Sequence, residues 1–191
     1  MAHDELLGLH AAALDLFADR VHRVGEDQWG ASTPCTEWSV RDLVQHLTAE
    51  QLWVPPLVRD GATMAEVGDV FDADVVGGDP ATAFDTAAQA AREAFREPGA
   101  LDRTVNLSYG DTPCADYCAQ MVTDLVVHSW DLSRGIGADE QLPDELVAHA
   151  VREVAPYASE LAASGVFGPP VKPPAGADEQ TKLLAQLGRR V

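Results

Sequence analysis

MVTDLVVHSWDLSRG, residues 121–135, has the pattern of a helix buried on most of its faces. Asp124, His128 and Asp131 recur at intervals of four and three, which stacks their side chains on one helical face. Leu125, Val126, Val127, Trp130 and Leu132 fill the other faces, so the segment needs apolar neighbours on nearly every side. An ionised carboxylate beside a neutral imidazole, away from water, is costly unless a cation joins them, and a divalent metal ion is the natural candidate. One helix cannot complete such a site. The best further ligand is His46, in the run Ser39–Leu52, SVRDLVQHLTAEQL.

That second run carries the clearest helix start in the chain. Ser39 can cap the free amides with Asp42 three residues on, and Trp38 before the cap can staple onto Leu43. Leu43, His46, Leu47 and Glu50 then share a face, with His46 two turns inside. A lone histidine on an apolar face is ordinarily a core residue bonded to a carbonyl. His46 reads as a ligand only because a second helix offers the Asp124-x-x-x-His128 pair, and a bundle can bring two such faces to metal-binding distance. Asp131 has two readings, a support for His128 from behind or the cap of a surface turn near Gly135. No general base is evident beside the three ligands.

Working outward, Leu6, Leu9, Ala13, Leu14, Phe17 and Val21 predict a helix over residues 4–24, with His10 on its stripe and His22 at its edge. Pro55-Pro56 is expected to end the helix of His46, and 59–78 to form a long irregular connection. Phe84, Ala87, Ala88, Ala91 and Phe95 give a helix over 80–96 whose alanine face permits close approach. Residues 101–109 alternate weakly and suggest a short extended segment. The central helix opens near Pro113 and stops at Gly135 or Gly137. A further helix is expected over 143–161, with His149 peripheral, and a short one over 178–187. Cys114 and Cys118 read as small buried apolar residues.

With 191 residues the chain suits one bundle domain over 1–165 and a Pro-rich tail with a short helix over 166–191 packed on it. Its net charge of −18, from 13 basic and 31 acidic residues, argues against a nucleic-acid partner. Three cysteines without a CxxC pair suit a reducing compartment rather than a disulfide framework. The start, MAHDELLGLH, has no charged-then-apolar leader, and no run reaches the roughly 18 apolar residues of a membrane span, so a soluble cytoplasmic protein without membrane contact is expected. The scarcity of lysine, Lys172 and Lys182 alone, points to a high-GC bacterial genome.

Three blocks, TPCTEWSVRDLVQHL (33–47), DLVVHSWDLSRG (124–135) and GVFGPPVKPPAGADEQTKLLAQLGR (165–189), together resemble an actinobacterial metal-binding family. That family is related to the N-terminal domain of mycothiol-dependent maleylpyruvate isomerase, among the DinB-like bundles. The resemblance implies an all-α, up-down-down-up four-helix bundle with extra short helices and one short extended segment. It also implies a divalent metal held by His46, Asp124 and His128. The isomerase has Glu where this chain has Asp124, and has a further C-terminal domain. Zinc is the default ion for this donor set, with nickel, iron and manganese also suited. Two imidazoles and one carboxylate leave positions open, as a catalytic site requires. The function implied is a thiol transferase or isomerase-like enzyme that activates mycothiol as co-substrate for addition to a small electrophilic molecule. The alternatives are a non-catalytic metal- or ligand-binding module, which could be a homodimer joined through its helices, and a metal-dependent hydrolase.

Overall fold

The computed structural model describes residues 1–157 and 168–191. Helix α1, His3–Val21, buries Leu6, Leu9, Ala13, Leu14, Phe17 and Val21 on one stripe. Helix α2, Val40–Val54, begins at a full capping box. The Ser39 side chain accepts from the amide of Asp42, and the Asp42 carboxylate accepts from the amide of Ser39. Trp38, expected on Leu43, has its ring 4.8 Å from that of His46.

The chain does not leave its helical path at Pro55-Pro56. Two adjacent prolines remove two amide donors, and the backbone responds by widening into a π-helical turn, Pro55–Arg59, closed by the amide of Asp60 on the carbonyl of Pro55. The connection that follows is also more ordered than its composition predicts. Thr63 and Glu66 form a second capping box that opens the short helix α3, Met64–Val67. Asp74 then accepts from Arg41, while the side-chain Nε2 of Gln45 donates to the carbonyl of Ala73, so the connection is tied down along α2.

Helix α4, Pro80–Arg96, starts under an Asp79 cap and buries Phe84, Ala87, Ala88, Ala91 and Phe95. An antiparallel hairpin follows, β1 (Thr104–Leu107) against β2 (Gly110–Pro113), where the sequence suggested only an extended segment. Helix α5, Cys114–Ile136, is buried almost without interruption from Met121 to Ser133 and ends at Gly137, whose φ of 68° gives the left-handed turn that suits glycine. Helices α1 and α2 each pack against both α4 and α5, giving a four-helix bundle. Phe17 meets Phe84 across its core, ring centroids 4.8 Å apart. A Cβ added to Gly135 would lie 3.2 Å from Val40 and 3.3 Å from Thr33, so the end of α5 is pressed onto the approach to α2. That contact sets residues 33–40 beside His128.

Helix α6, Asp144–Val154, lies on α5 and passes into a 3₁₀ turn, Ala155–Tyr157. The remainder of the helix expected there, 158–161, and the expected boundary at 165–166 lie outside the described residues. His149 is not peripheral. It is buried, with Nε2 3.2 Å from the carbonyl of Ala119, because α6 turns that face onto α5. Helix α7, Glu179–Gln186, capped by Asp178, packs against α6 and adds Leu183, Leu184 and Leu187 to the common core. Among the described residues no helix is long and apolar enough to cross a membrane.

Candidate metal centre

His46 projects from α2 toward α5, where Asp124 and His128 stand one turn apart. Nε2 of His46 lies 3.6 Å from Oδ2 of Asp124, and Nε2 of His128 lies 3.3 Å from Oδ1 of the same carboxylate. The three side chains offer ligand atoms that all lie within 4.8 Å of one another. The imidazoles meet edge to face, centroids 5.4 Å apart, with the Trp38 ring against His46. The His128 side chain is only 6% exposed, whereas His46 and Asp124 remain 29% and 25% exposed, so the cluster is closed behind His128 and open in front.

Charge explains why these groups need one another. Burial pushes the Asp124 carboxyl up, but the imidazoles of His128 and His46 more than offset it and hold the carboxyl well below the usual range. Burial likewise pulls the His128 imidazole down, and Asp124 with Asp131 overrides it, holding the ring well above an ordinary histidine. A site of two carboxylates around one imidazole favours a positive charge at its centre.

Asp131 is the residue whose surface reading the structure overturns. It is fully buried, because α5 is covered on this side by the chain that follows α7. Its Oδ2 is 2.9 Å from Nδ1 of His128 and accepts at 2.7 Å from Nη2 of Arg189, while Oδ1 accepts from Nε of Arg189 at 3.2 Å. Burial raises its carboxyl, but His128 and Arg189 together hold it at about 2. Arg134, three residues further along α5, pairs with Glu140 rather than with Asp131. With Nδ1 of His128 engaged by Asp131, Nε2 is the nitrogen turned to Asp124 and His46, which is the arrangement of a ligating histidine steadied by a carboxylate.

Cys35 stands beside the nitrogen of His128 that Asp131 holds. Its Sγ donates to Oδ2 of Asp131 at 3.2 Å and is 3.6 Å from Nδ1 of His128. Cysteine, histidine and aspartate thus meet, but at a single ring nitrogen. A nucleophilic triad needs the thiol and the carboxylate on opposite nitrogens, so the geometry is not that of a cysteine nucleophile with its base. Cys114 and Cys118 are buried, and burial raises both thiols, Cys114 to about 11, as suits neutral packing residues.

His46, Asp124 and His128 form part of the wall of a cavity of about 1400 Å³. Trp38, Glu50, Trp53 and Tyr117 line it with them. Glu50 stands one turn beyond His46 on α2. Burial, and then the negative charge of Asp124, raises its carboxyl above the ordinary range. The i+4 spacing from His46 was a usable signal for Glu50. Nothing in the sequence linked Arg189 to Asp131, 58 residues earlier.

The donor set fits a divalent ion: two imidazole Nε2 atoms and one carboxylate converge, the deeper histidine is oriented from behind, and the open side faces a cavity. Comparison with known proteins agrees with this architecture. Two curated proteins of Mycobacterium tuberculosis, an uncharacterized protein of strain CDC 1551 / Oshkosh and one of strain ATCC 25618 / H37Rv, are each 31% identical over 202 residues, covering 95% of this chain and 96% of theirs. Among solved structures, the mycothiol-dependent maleylpyruvate isomerase superposes with a TM-score of 0.64 at 14% identity, over 85% of this chain and 70% of that one. A histidine-to-alanine mutant of that isomerase gives the same values. At this identity the likeness speaks to the fold. The family model for the mycothiol maleylpyruvate isomerase N-terminal domain matches residues 10–133, a span that includes His46, Asp124 and His128, and the chain belongs to that family.

Proposed function

We propose that the protein is a metal-dependent enzyme that adds a low-molecular-weight thiol, mycothiol, to a small electrophilic molecule, as a transferase or in an isomerase-like cycle. The observation that carries this reading is an incomplete ligand set, His46, Asp124 and His128, open on the side of a large cavity. A closed structural site would bury all its donors. At about 1400 Å³ the cavity exceeds the roughly 300–1,000 Å³ of most ligand pockets, so thiol and electrophile have room side by side.

These three residues would hold the ion, zinc being the default for the donor set. When bound there, a divalent ion lowers the pKa of a thiol reaching its open side, so that the nucleophilic thiolate persists near neutral pH. The chain's own residues supply the rest. Asp131 keeps Nε2 of His128 forward, the Trp38 ring backs His46, and Trp53 and Tyr117 provide apolar wall that excludes water. Glu50, whose carboxyl is raised above an ordinary glutamate by burial and the charge of Asp124, lines the same cavity and is placed to exchange a proton with the substrate as the new bond forms or breaks.

The test is metal analysis of protein purified without a nickel column, followed by addition of mycothiol to the Co(II)-substituted protein. A thiolate-to-metal charge-transfer band is expected. Bound metal with no spectral change on adding mycothiol would leave a binding module and overturn the thiol chemistry.

A further inference from the structure

Arg189 lies far from α5 in sequence and yet reaches the carboxylate that holds His128. Its guanidinium spans both oxygens of Asp131, at 2.7 Å and 3.2 Å, and Asp131 in turn holds Nδ1 of His128 at 2.9 Å. Arg189 and Asp131 are both buried. A fork of N–H donors across a carboxylate fixes orientation as well as distance, which a single lysine ammonium does not.

The chain around Arg189 is shaped for this approach. Gly188 has φ +84°, and a Cβ there would lie 2.6 Å from the backbone of Gly168, so two segments of backbone cross at a distance only glycine permits. Leu183, Leu184 and Leu187 enter the core just before it, and Nη1 of Arg189 donates to the carbonyl of Leu187 at 2.8 Å. The side chain is thus held by its own backbone, and in the docked segment the guanidinium lies against Asp131.

We infer that Arg189 is a positioning residue for the metal ligand His128, acting through Asp131, and that docking of the C-terminal segment 178–191 and loading of the metal centre favour each other. The inference rests on the metal-site reading above. Coupling through a buried chain of two hydrogen-bonded contacts is reciprocal: whatever the docked segment adds to metal affinity, the metal adds to the stability of the docked segment.

The experiment uses the full chain and Co(II) as probe, with affinity and the visible ligand-field spectrum as one readout and hydrogen exchange of residues 178–191, with and without Co(II), as the other. For the wild type, exchange in that segment should slow on adding Co(II). Arg189→Gln should weaken Co(II) binding by about tenfold or more and alter the band shape, as loss of a partner behind a ligating histidine does. Arg189→Lys should recover part of the affinity through its charge but not the wild-type spectrum. Wild-type Co(II) binding with unchanged segment exchange, and with affinity and spectrum retained in Arg189→Gln, would overturn this inference and leave the metal site standing. Absence of Co(II) binding by the folded wild type would overturn the metal site and this inference with it. The exchange measurement on wild type needs no substitution and decides the coupling even where Arg189→Gln fails to fold.

Discussion

Oδ2 of Asp131 sits 2.9 Å from Nδ1 of His128, one helical turn back, and both side chains are shut away from solvent. Asp124 stands on the other side of the same ring, 3.3 Å from Nε2. One imidazole between two carboxylates raises the question of which carboxylate belongs to the metal. Asp124 faces the cavity and His46, whereas Asp131 faces Arg189 and Cys35.

The two carboxylates should therefore respond differently to amidation. Asp124→Asn is expected to weaken zinc binding more than Asp131→Asn, because it removes a ligand charge. Asp131→Asn is expected to cost about 10–100-fold in affinity through the orientation of His128, and to lower stability by about 3 kcal/mol through loss of a buried charge pair. Calorimetric zinc titration with thermal melts of both variants decides the matter. The reverse ranking would move the ligand to Asp131 and the centre to the neighbouring Cys35, His128, Asp131 group.

His46 is the sole contribution of α2 to the three-residue cluster, so its removal should dismantle the site without touching the α5 pair. His46→Ala should lose most bound metal while keeping the helical signature of the fold, since this side chain is 29% exposed and outside the core. Metal content per chain equal to wild type would discard the three-residue site.

The bundle was legible because its signals are local. Ser39 with Asp42 marks the start of α2, the register of Phe84, Ala87, Ala88, Ala91 and Phe95 marks α4, and the near-continuous apolar run of α5 requires partners on all sides. His46, Asp124 and His128 could be paired because helical periodicity fixes the face on which each lies. What stayed hidden depends on tertiary approach. Arg189 reaches Asp131 from beside the Gly188–Gly168 crossing, and Cys35 reaches it from the loop before α2 that packs on α5 at Gly135. The turn at Pro55-Pro56 failed for another reason: a missing amide usually stops an α-helix, but here the wider π turn absorbs it.

His10 supplies a pH dependence independent of the metal centre. It is buried on α1 with its ring 4.9 Å from that of Phe95, and burial, then the charges of Arg92 and Arg96, lowers its imidazole from 6.5 to about 3. Between these values the unfolded chain takes up a proton that the folded chain refuses, so stability falls as pH falls through the window. The loss is complete below the folded-state value and amounts to about 5 kcal/mol. His10→Leu removes this titration. Urea unfolding at pH 7.5 and pH 5 should show wild type losing about 2 kcal/mol more than the variant over that interval. Equal losses in the two proteins would assign the acid sensitivity elsewhere.

Glu50 tests the chemistry rather than the scaffold. Its carboxyl shares the cavity with the ligand cluster, one turn along α2 from His46, and burial together with Asp124 raises it above an ordinary glutamate. A carboxyl shifted in that direction keeps its proton to higher pH than an ordinary carboxylate, which favours a role in proton exchange. Glu50→Gln preserves size and removes only the proton exchange. Thiol addition should then slow by about 10²–10⁴-fold in kcat, with little change in KM for the thiol and unchanged metal content. The rate–pH profile of the wild type should carry a limb from an acid above the carboxylate range, and that limb should vanish in the variant. Loss of metal in Glu50→Gln would instead make Glu50 a ligand, and an unaltered kcat would send the proton along another route.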